Sequence, residues 1–281
     1  MFRRALCLLL LTAPVAAADQ VPGRLTFSAT LDSIRIDGRP DQVVTRQFRL
    51  TLDDGQPRTR FRAKVEDWWR SEDGQRSFYA EAGTLGRSCA RWVAINPVEA
   101  VVEPGGTLVV RVTVSIPHEV SDGGFWCALT VDEVPDPEAA TVGVGVRFLA
   151  SVSTGIFVNL GEVRRAASIL DLGLAGDRAT VRLRSDGNAP LGVEGRIEFL
   201  RPAAGETVVA SSTLPRRTLL PEPSPEGIIG VPLPPASMLP DGEYLMRAVL
   251  DYGADHYIGA ERAVVVARGP AGAPSRGGGR P

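Results

Sequence analysis

The sequence predicts an all-β protein made of two sandwich domains in tandem, each a pair of packed sheets. Three observations support this class. Apolar and polar residues alternate with a period of two along much of the chain, as the side chains of half-buried strands do. The 30 glycines and 22 prolines interrupt this alternation at intervals typical of strands and turns. The apolar spacing that marks an amphipathic helix is almost absent.

The first residues predict export. Residues 1–4 carry two arginines, residues 5–15 are largely apolar, and residues 16–18 are alanines. This is the layout of a secretory signal peptide, with cleavage expected after Ala18, so that the leader covers residues 1–18. An uncleaved membrane anchor is the alternative, but the apolar run is shorter than the roughly 20 residues that cross a bilayer. We therefore expect a periplasmic, secreted or cell-surface protein without a transmembrane segment.

The first domain is expected at residues 19–153, where strand signals follow one another closely. Residues 108–116 alternate without a break until Pro117 ends the run, and the turn at residues 103–106 contains two glycines. Strands are expected at residues 24–36, 43–52, 60–69, 91–95, 98–102, 108–116, 125–131 and 141–153. Short strands with turns about every 8–12 residues indicate an immunoglobulin-like β-sandwich.

The pattern starts again in the second domain, expected at residues 154–267, with the change between domains placed around residues 149–160. Strands are expected at residues 167–174, 179–183, 193–200, 207–212, 228–233, 244–252 and 256–266. The last two are expected to form a closing hairpin. Residues 268–281 are mostly Gly, Pro and Arg and have little to bury, so we expect a disordered tail.

Two cysteines stay in the chain once the leader is removed. An exported protein meets oxidising conditions, so Cys89 and Cys127 are expected to form a disulfide if their strands are neighbours. The alternative is a pair of buried free thiols that pack as small apolar groups. Their spacing fits no metal motif.

The composition argues against several classes of function. The formal net charge is -2, whereas a nucleic-acid-binding domain usually has a basic excess. The two histidines, His118 and His256, lie in or after turns, and no serine has the glycine frame of a nucleophile elbow. The acidic pairs at residues 66–67 and 132–133 lack the spacing of a calcium loop. We expect no enzymatic activity, no cofactor and no metal ion.

The four tryptophans allow two interpretations. Trp92 and Trp126 lie near the cysteines, which favours packing in a core. Trp68 and Trp69 are adjacent, so on a strand one of them has to face outward. That side chain, with arginines close by in the sequence, is a candidate contact for a ligand such as a glycan.

Several short segments combine a turn with the strand beside it. They are residues 88–93, Pro97, and residues 102–106, 114–117, 123–126 and 240–244. This set resembles bacterial periplasmic and surface proteins with immunoglobulin-like domains, namely the PapD-like pilus-assembly chaperones and the WxL-interacting cell-surface proteins. The resemblance covers nearly the whole mature chain and implies a fold without specifying a partner.

The resemblance to PapD-like chaperones implies a donor strand. In that family the last strand of the first domain adds to an incomplete pilin subunit, with main-chain hydrogen bonds for affinity and alternate side chains for fit. Residues 141–152 have the required alternation at Val142, Val144, Val146 and Phe148. The alternative is an ordinary strand whose inner face is buried in the core of its own domain.

The family also holds the subunit's terminal carboxylate with an arginine–lysine pair, and here the chain departs from the pattern. Its only lysine, Lys64, lies on an early strand. Because a guanidinium group binds a carboxylate bidentately, Arg35 and Arg147 are the candidates for this role, and Arg24 is a further one. For each arginine the alternative is a solvated surface position.

The predicted function is therefore a non-enzymatic periplasmic assembly factor that resembles a fimbrial or pilus chaperone. Its partner would be a secreted protein, such as a pilin-like subunit, held by β-strand addition. The alternative is a cell-surface or periplasmic binding module that recognises a wall polymer, a glycan or a surface protein through its loops. An exposed edge along residues 141–152, facing a cleft between the domains, favours the first function.

Overall fold

A computed structural model describes residues 26–29, 33–79, 81–135, 149–201 and 207–268. In these ranges the chain forms strands and one short 3-10 turn, η1. The first ten strands and the turn are β1 (Phe27–Ala29), β2 (Ile34–Gly38), β3 (Val43–Leu52), β4 (Thr59–Arg70), β5 (Arg76–Tyr79), η1 (Ala90–Trp92), β6 (Val93–Asn96), β7 (Glu99–Val102), β8 (Thr107–Ser115), β9 (Gly123–Val134) and β10 (Ser151–Leu160). The other seven are β11 (Ala167–Ala175), β12 (Arg178–Ser185), β13 (Leu191–Arg201), β14 (Thr207–Leu219), β15 (Glu226–Pro232), β16 (Gly242–Asp251) and β17 (Ile258–Val266). Among these described elements, none is a helix long and apolar enough to span a membrane.

The first sandwich packs two sheets against each other. One has the strand order β1-β3-β8-β6, and the other has the order β2-β10-β9-β4-β5 with β7 also paired to β4. Strand β8 shows why these residues form a sheet: Leu108, Val110, Val112 and Val114 are buried, and the residues between them are exposed or half-buried. The two-residue alternation places one face of the strand in the core, as the sequence predicts.

The second sandwich repeats this arrangement with the sheets β11-β12-β15 and β14-β13-β16-β17. Its core is a separate cluster that includes Leu183, Ile197, Phe199 and Met246. The predicted closing hairpin is confirmed, because β16 and β17 pair in antiparallel register. Two cores, each enclosed by two sheets, confirm the predicted fold of tandem immunoglobulin-like sandwiches.

The start of the first sandwich differs from its prediction. The run at residues 24–36 was expected to be one strand, but β1 pairs antiparallel with β3 in one sheet, and β2 pairs parallel with β10 in the other. The chain therefore changes sheets between these two strands. Apolar alternation predicts which side of a strand is buried, but not which neighbour the strand joins.

Strand β10 lies where the change between the domains is expected, at residues 149–160. β10 runs across the predicted limit between residues 153 and 154, and it pairs with β9 from Ser151 to Leu160. Gly155 breaks the apolar pattern there, yet the strand continues because Ile156 and Val158 fill the first core. The segment at residues 161–166 therefore connects the two pairs of sheets, and the domain limits stay a prediction.

Arg268, the first residue of the expected tail, is held by hydrogen bonds. It was placed in the expected tail, but its backbone N–H donates to Asp241 at 3.1 Å and its guanidinium group donates to the carbonyl oxygens of Pro234 and Leu239. The rest of the expected tail lies outside the described residues.

The two sandwiches contact each other directly. The Gly124 N–H donates to the carbonyl oxygen of Asn188 at 2.9 Å, and the Ile228 N–H donates to that of Glu72 at 2.7 Å. A Cβ atom on Gly124 would lie 2.6 Å from that of Ala189, so only glycine allows this approach. A small apolar cluster joins the two sandwiches and consists of Trp68, Leu85, Trp126, Ala128, Phe157 and Leu220.

Candidate functional site

A cleft of about 320 Å³ lies where the outer face of the β10-β9-β4 sheet meets β14 of the second sandwich. The alternation of β10 sends Ile156 into the first core and Phe157 towards the cleft. Trp68, Ala128 and Phe157 form an apolar floor that also belongs to the cluster between the sandwiches. The cleft therefore has a buried, apolar base.

Four arginines line this cleft: Arg35 on β2, Arg70 and Arg76 on β4 and β5, and Arg216 on β14. Arg35 lies opposite Phe157 in the register of β2 and β10, and its guanidinium carbon is 4.9 Å from the centre of that ring. The guanidinium carbon of Arg70 is 5.9 Å from the ring of Trp68. Cation–π contacts of this kind hold an arginine side chain in place without neutralising its charge.

The positive charges of the cleft are only partly compensated, since Arg216 alone of the four arginines has a described ion-pair partner, Glu194. No aspartate or glutamate is among the described residues that line it. Burial, followed by repulsion from Arg216, lowers the pKa of the Arg35 guanidinium below its ordinary value. Burial, followed by repulsion from Arg76, does the same to the pKa of Arg70. Positive charges that are crowded together in a partly desolvated cleft attract anions, and guanidinium groups bind carboxylates bidentately.

Two further details concern Arg70. It lies directly opposite Arg76 in the antiparallel register of β4 and β5, a position where like charges are destabilising. Its buried Nε has no hydrogen-bond acceptor among the described residues, although Nη1 donates to the carbonyl oxygen of Gly74 at 2.8 Å. Such costs are tolerated more readily at binding sites than elsewhere.

Gly155 shapes the floor of the cleft. A Cβ atom at this position would lie 2.6 Å from the Cε2 atom of Phe157. The absence of a side chain lets the Phe157 ring lie beside the strand, where it supports Arg35. Gly155 therefore helps to position Arg35 through the Phe157 ring.

A larger cavity of about 520 Å³ lies between the β4–β5 turn and strands β14 and β15. Arg70, Arg178 and Arg217 line it, but so do Asp73 and Glu226. Because its charges are mixed, this cavity selects less strongly for an anion than the cleft does.

The edge of β10 adjoins the cleft. Its pairing with β2 begins at Ile156, whereas its pairing with β9 begins at Ser151. Ser153 and Gly155 line the cleft ahead of the β2 pairing. The start of β10 therefore has β9 on one side and the entrance of the cleft nearby.

The predicted site residues fall into two groups. Arg35 lies in the cleft, whereas Arg24 and Arg147 lie outside the described residues. All four apolar positions of the predicted donor strand also lie outside them: Val142, Val144, Val146 and Phe148. Residues 149–152 of that segment are described, and Ser151 and Val152 pair with Asp132 and Val131 of β9.

The only lysine does not take part in the cleft. Lys64 forms ion pairs with Glu66 and Asp132, both at 3.0 Å, and is not among the described residues that line the cleft. The sequence analysis did not single out Arg76 or Arg216, and it considered Arg70 only as a neighbour of an outward-facing tryptophan. The only clue in the sequence was that these arginines lie near the ends of strands, and arginines in such positions are common on protein surfaces.

The prediction that Trp126 packs in the interior is confirmed. Trp126 is fully buried, and its indole N–H donates to the carbonyl oxygen of Trp68 at 2.9 Å. Trp68 is buried too, and Trp69 is half-buried and stacked on Tyr79 with ring centres 6.4 Å apart. Trp68 lies on the outer face of its sheet, where the cluster between the sandwiches covers it, and a ligand contact at an outward-facing tryptophan stays a prediction.

The two cysteines lie together in the first core. Cys89 precedes η1, Cys127 lies on β9, and both are fully buried with their Sγ atoms 2.6 Å apart. The Cys89 N–H donates to the carbonyl oxygen of Trp126 at 3.2 Å, which holds the segment against β9. Burial, followed by the hydrogen bond with Cys89, raises the pKa of the Cys127 thiol.

Other polar side chains pair locally. His118 lies 2.7 Å from an oxygen of Asp41 at an exposed position, and His256 lies 2.8 Å from the hydroxyl of Tyr252. Asp67 is buried and accepts the Leu85 N–H at 2.9 Å. Within the described residues, no group of three potential metal ligands comes together.

Comparison with known proteins gives similarity in structure only. No family model matches the chain, and no curated protein matches it in sequence. Among solved structures, the class 5 fimbriae chaperone CfaA aligns over 87% of this chain and 100% of its own, with 11% identity and a TM-score of 0.43. The Pseudomonas aeruginosa CupB2 chaperone aligns over 84% of this chain and 100% of its own, with 12% identity and a TM-score of 0.42. The E. coli chaperone DraB aligns over 86% of this chain and 97% of its own, with 16% identity and a TM-score of 0.39.

All three similar structures are chaperones, one of them a fimbriae chaperone, and their sequence identity to this chain is low. The resemblance to WxL-interacting proteins stays a prediction. Likeness at this level assigns neither a partner nor an activity, so function has to be argued from the residues of the cleft.

Proposed function

We propose that this chain is a non-enzymatic, chaperone-like assembly factor that holds a secreted protein partner by β-strand addition. The partner's terminal carboxylate binds in the cleft, at Arg35 and Arg216. A pilin-like subunit is one partner of this kind. The observation that carries the proposal is the position of Arg35, which lies on the strand beside β10 in a cleft lined by four arginines and no described carboxylate.

The chemistry of the cleft supports this assignment. Charge-assisted hydrogen bonds from guanidinium to carboxylate are strong and directional, and the apolar floor lowers the competition from water. The start of β10 lies next to the same cleft, so a strand that adds there places its end near Arg35. Main-chain pairing supplies affinity and the arginines set the register.

The proposal includes export to the periplasm with cleavage of residues 1–18, and a disulfide between Cys89 and Cys127. The structure records both cysteines as buried free thiols, but their sulfur atoms lie only 2.6 Å apart, so a small movement brings them to the roughly 2.05 Å of a disulfide bond. Its formation converts two thiols into one disulfide and passes two electrons and two protons to a disulfide-bearing oxidant by thiol exchange.

A first prediction tests the carboxylate site and the donor strand together. In the native host, affinity purification of the tagged wild-type protein is expected to recover a secreted partner. Recovery is expected to fall at least about 10-fold for Arg35→Gln, which loses the charged fork, and for Val144→Asp, which puts a charge on the apolar face of the donor segment.

Arg46→Gln is the matched control, because Arg46 is an exposed arginine on β3 in the opposite sheet. It should recover the partner as the wild type does. Equal recovery by all three variants would show that neither the cleft nor the donor segment holds the partner.

A second prediction concerns the floor of the cleft. Gly155→Ala should displace the Phe157 ring and weaken binding of a peptide with a free carboxyl terminus by about 5-fold, since overpacking costs roughly 1–3 kcal/mol. Calorimetric titration measures the change. Gly173→Ala is the control, because the nearest atoms to its added Cβ lie 3.7 Å away and leave it space. Unchanged affinity in Gly155→Ala would remove Phe157 from the site.

A binding module for a wall polymer, a glycan or a surface protein is the second candidate function. The observation that favours it is Phe78, a large aromatic side chain that is 41% exposed at the cleft. Soluble wall fragments that quench the tryptophan fluorescence of the wild type, but less that of Phe78→Ala, would favour this function over the first.

A further inference from the structure

The four arginines of the cleft form two pairs. Arg35 and Arg216 are one pair, and after burial, repulsion from Arg216 is the largest cause that lowers the pKa of Arg35. Arg70 and Arg76 are the other pair, and they face each other across the β4–β5 register. The rings beneath Arg35 and Arg70 are Phe157 and Trp68, whose centres are 6.1 Å apart. The two pairs therefore lie above neighbouring parts of one floor.

The terminal carboxylate of a partner would not by itself neutralise the positive charge of the four arginines. Arg216 has a carboxylate partner, Glu194, at 2.9 Å. Arg35, Arg70 and Arg76 form no ion pair among the residues that the structure describes, and the one recorded attraction to a carboxylate is that of Arg35 to Asp37. A terminal carboxylate at the first pair would leave Arg70 and Arg76 facing each other without an anion between them.

We propose that the cleft recognises two carboxylates of one partner, the terminal carboxylate at Arg35 and Arg216 and an acidic side chain at Arg70 and Arg76. This inference rests on the proposed function and adds a sequence requirement to it. The partner carries aspartate or glutamate as its last or second-to-last residue. A fork-shaped guanidinium group suits each carboxylate, and the second pair reads the side chain rather than the chain end.

The test uses three synthetic peptides that are identical except at the carboxyl end: one ends in aspartate, one in asparagine, and one in aspartate with an amidated terminus. Binding to the mature wild-type protein is measured by calorimetry at about 0.15 M salt, where loose surface attraction is screened. The acidic peptide is expected to bind about 10-fold more tightly than the asparagine peptide, and the amidated peptide is expected to bind weakly.

The variants assign each preference to one arginine pair. In Arg76→Gln the preference for aspartate over asparagine should fall to about 2-fold or less, while the effect of amidation persists. In Arg35→Gln the effect of amidation should shrink, while the preference for aspartate persists. Arg46→Gln is the control and should behave as the wild type. Thermal unfolding of each variant verifies that the fold is kept.

The outcomes separate this inference from the proposed function. Equal binding of the aspartate and asparagine peptides, with loss on amidation, overturns the second subsite and leaves the terminal carboxylate site in place. Equal binding of the two aspartate peptides, amidated or not, with weaker binding of the asparagine peptide, overturns the terminal site and keeps the acidic one. No binding by any peptide overturns both. Inorganic phosphate that displaces the acidic peptide at equal concentration would show a site for a free small anion, which also overturns the inference.

Discussion

Replacing Trp126 with alanine is expected to lower the free energy of unfolding by about 4 kcal/mol, since loss of a buried large aromatic side chain typically costs 3–5 kcal/mol. Trp126 is fully buried in the cluster that joins the two sandwiches. Its indole N–H also donates to the carbonyl oxygen of Trp68, so the substitution removes a hydrogen bond as well as apolar contact. Urea unfolding followed by circular dichroism measures the change.

Trp92→Ala is the matched control for this prediction. Trp92 is half-buried at the edge of the first core, tilted against Phe125, and lies outside the cluster between the sandwiches. Its replacement should cost less than half as much. The Trp126 variant should also show faster amide hydrogen exchange around Leu220 of the second sandwich, because Leu220 packs in the same cluster. Equal losses for the two variants, without faster exchange, would mean that the cluster does not couple the sandwiches.

The second large effect is expected from the cysteine pair. The mature protein, purified without reductant, should have a mass lower by two hydrogens than the dithiol form. Breaking a disulfide that spans a separation of 38 residues should lower the free energy of unfolding by about 4 kcal/mol. Cys127→Ser should reproduce most of this loss. Intact mass and urea unfolding, each with and without reductant, measure both effects.

The dependence on pH gives a second test of the pair. In the reduced protein, burial raises the pKa of the Cys127 thiol above its value in the unfolded chain. The stability from burying the neutral thiol is therefore fully present below about pH 8.5 and is lost as the pH rises towards the raised folded-state pKa. The oxidised protein has no thiol to titrate and should lack this loss. Full alkylation of both cysteines after unfolding without reductant would contradict the disulfide.

Much of the fold could be predicted because strand alternation is a local property. In β8, each apolar residue of the alternating run is buried, as the sequence predicts. β5 was missed because Arg76–Tyr79 is too short to show a pattern, and it is ordered by pairing with β4. Strand β10 continues through Gly155 because it pairs with β9 along its whole length.

The candidate site was only partly predictable. Arg35 was singled out from the sequence through a family resemblance, and the structure places it in the cleft. Arg70, Arg76 and Arg216 were not predicted as residues of this cleft, because arginines on strands are common and their chemistry depends on which charges lie near them. Lys64 illustrates the same limit: its ion pairs with Glu66 and Asp132 depend on the β4–β9 register.

The sequence by itself determined that the chain forms strands, which side of many of them is buried, and that two sandwiches follow each other, since a two-residue period acts over a few neighbouring residues. Only the tertiary structure decided that β2 joins β10, that Cys89 meets Cys127, and that Arg216 reaches a cleft built largely by the first sandwich. The physical reason is distance along the chain. These contacts depend on how the sheets pair and pack, and a local pattern carries no information about residues that lie far apart in sequence.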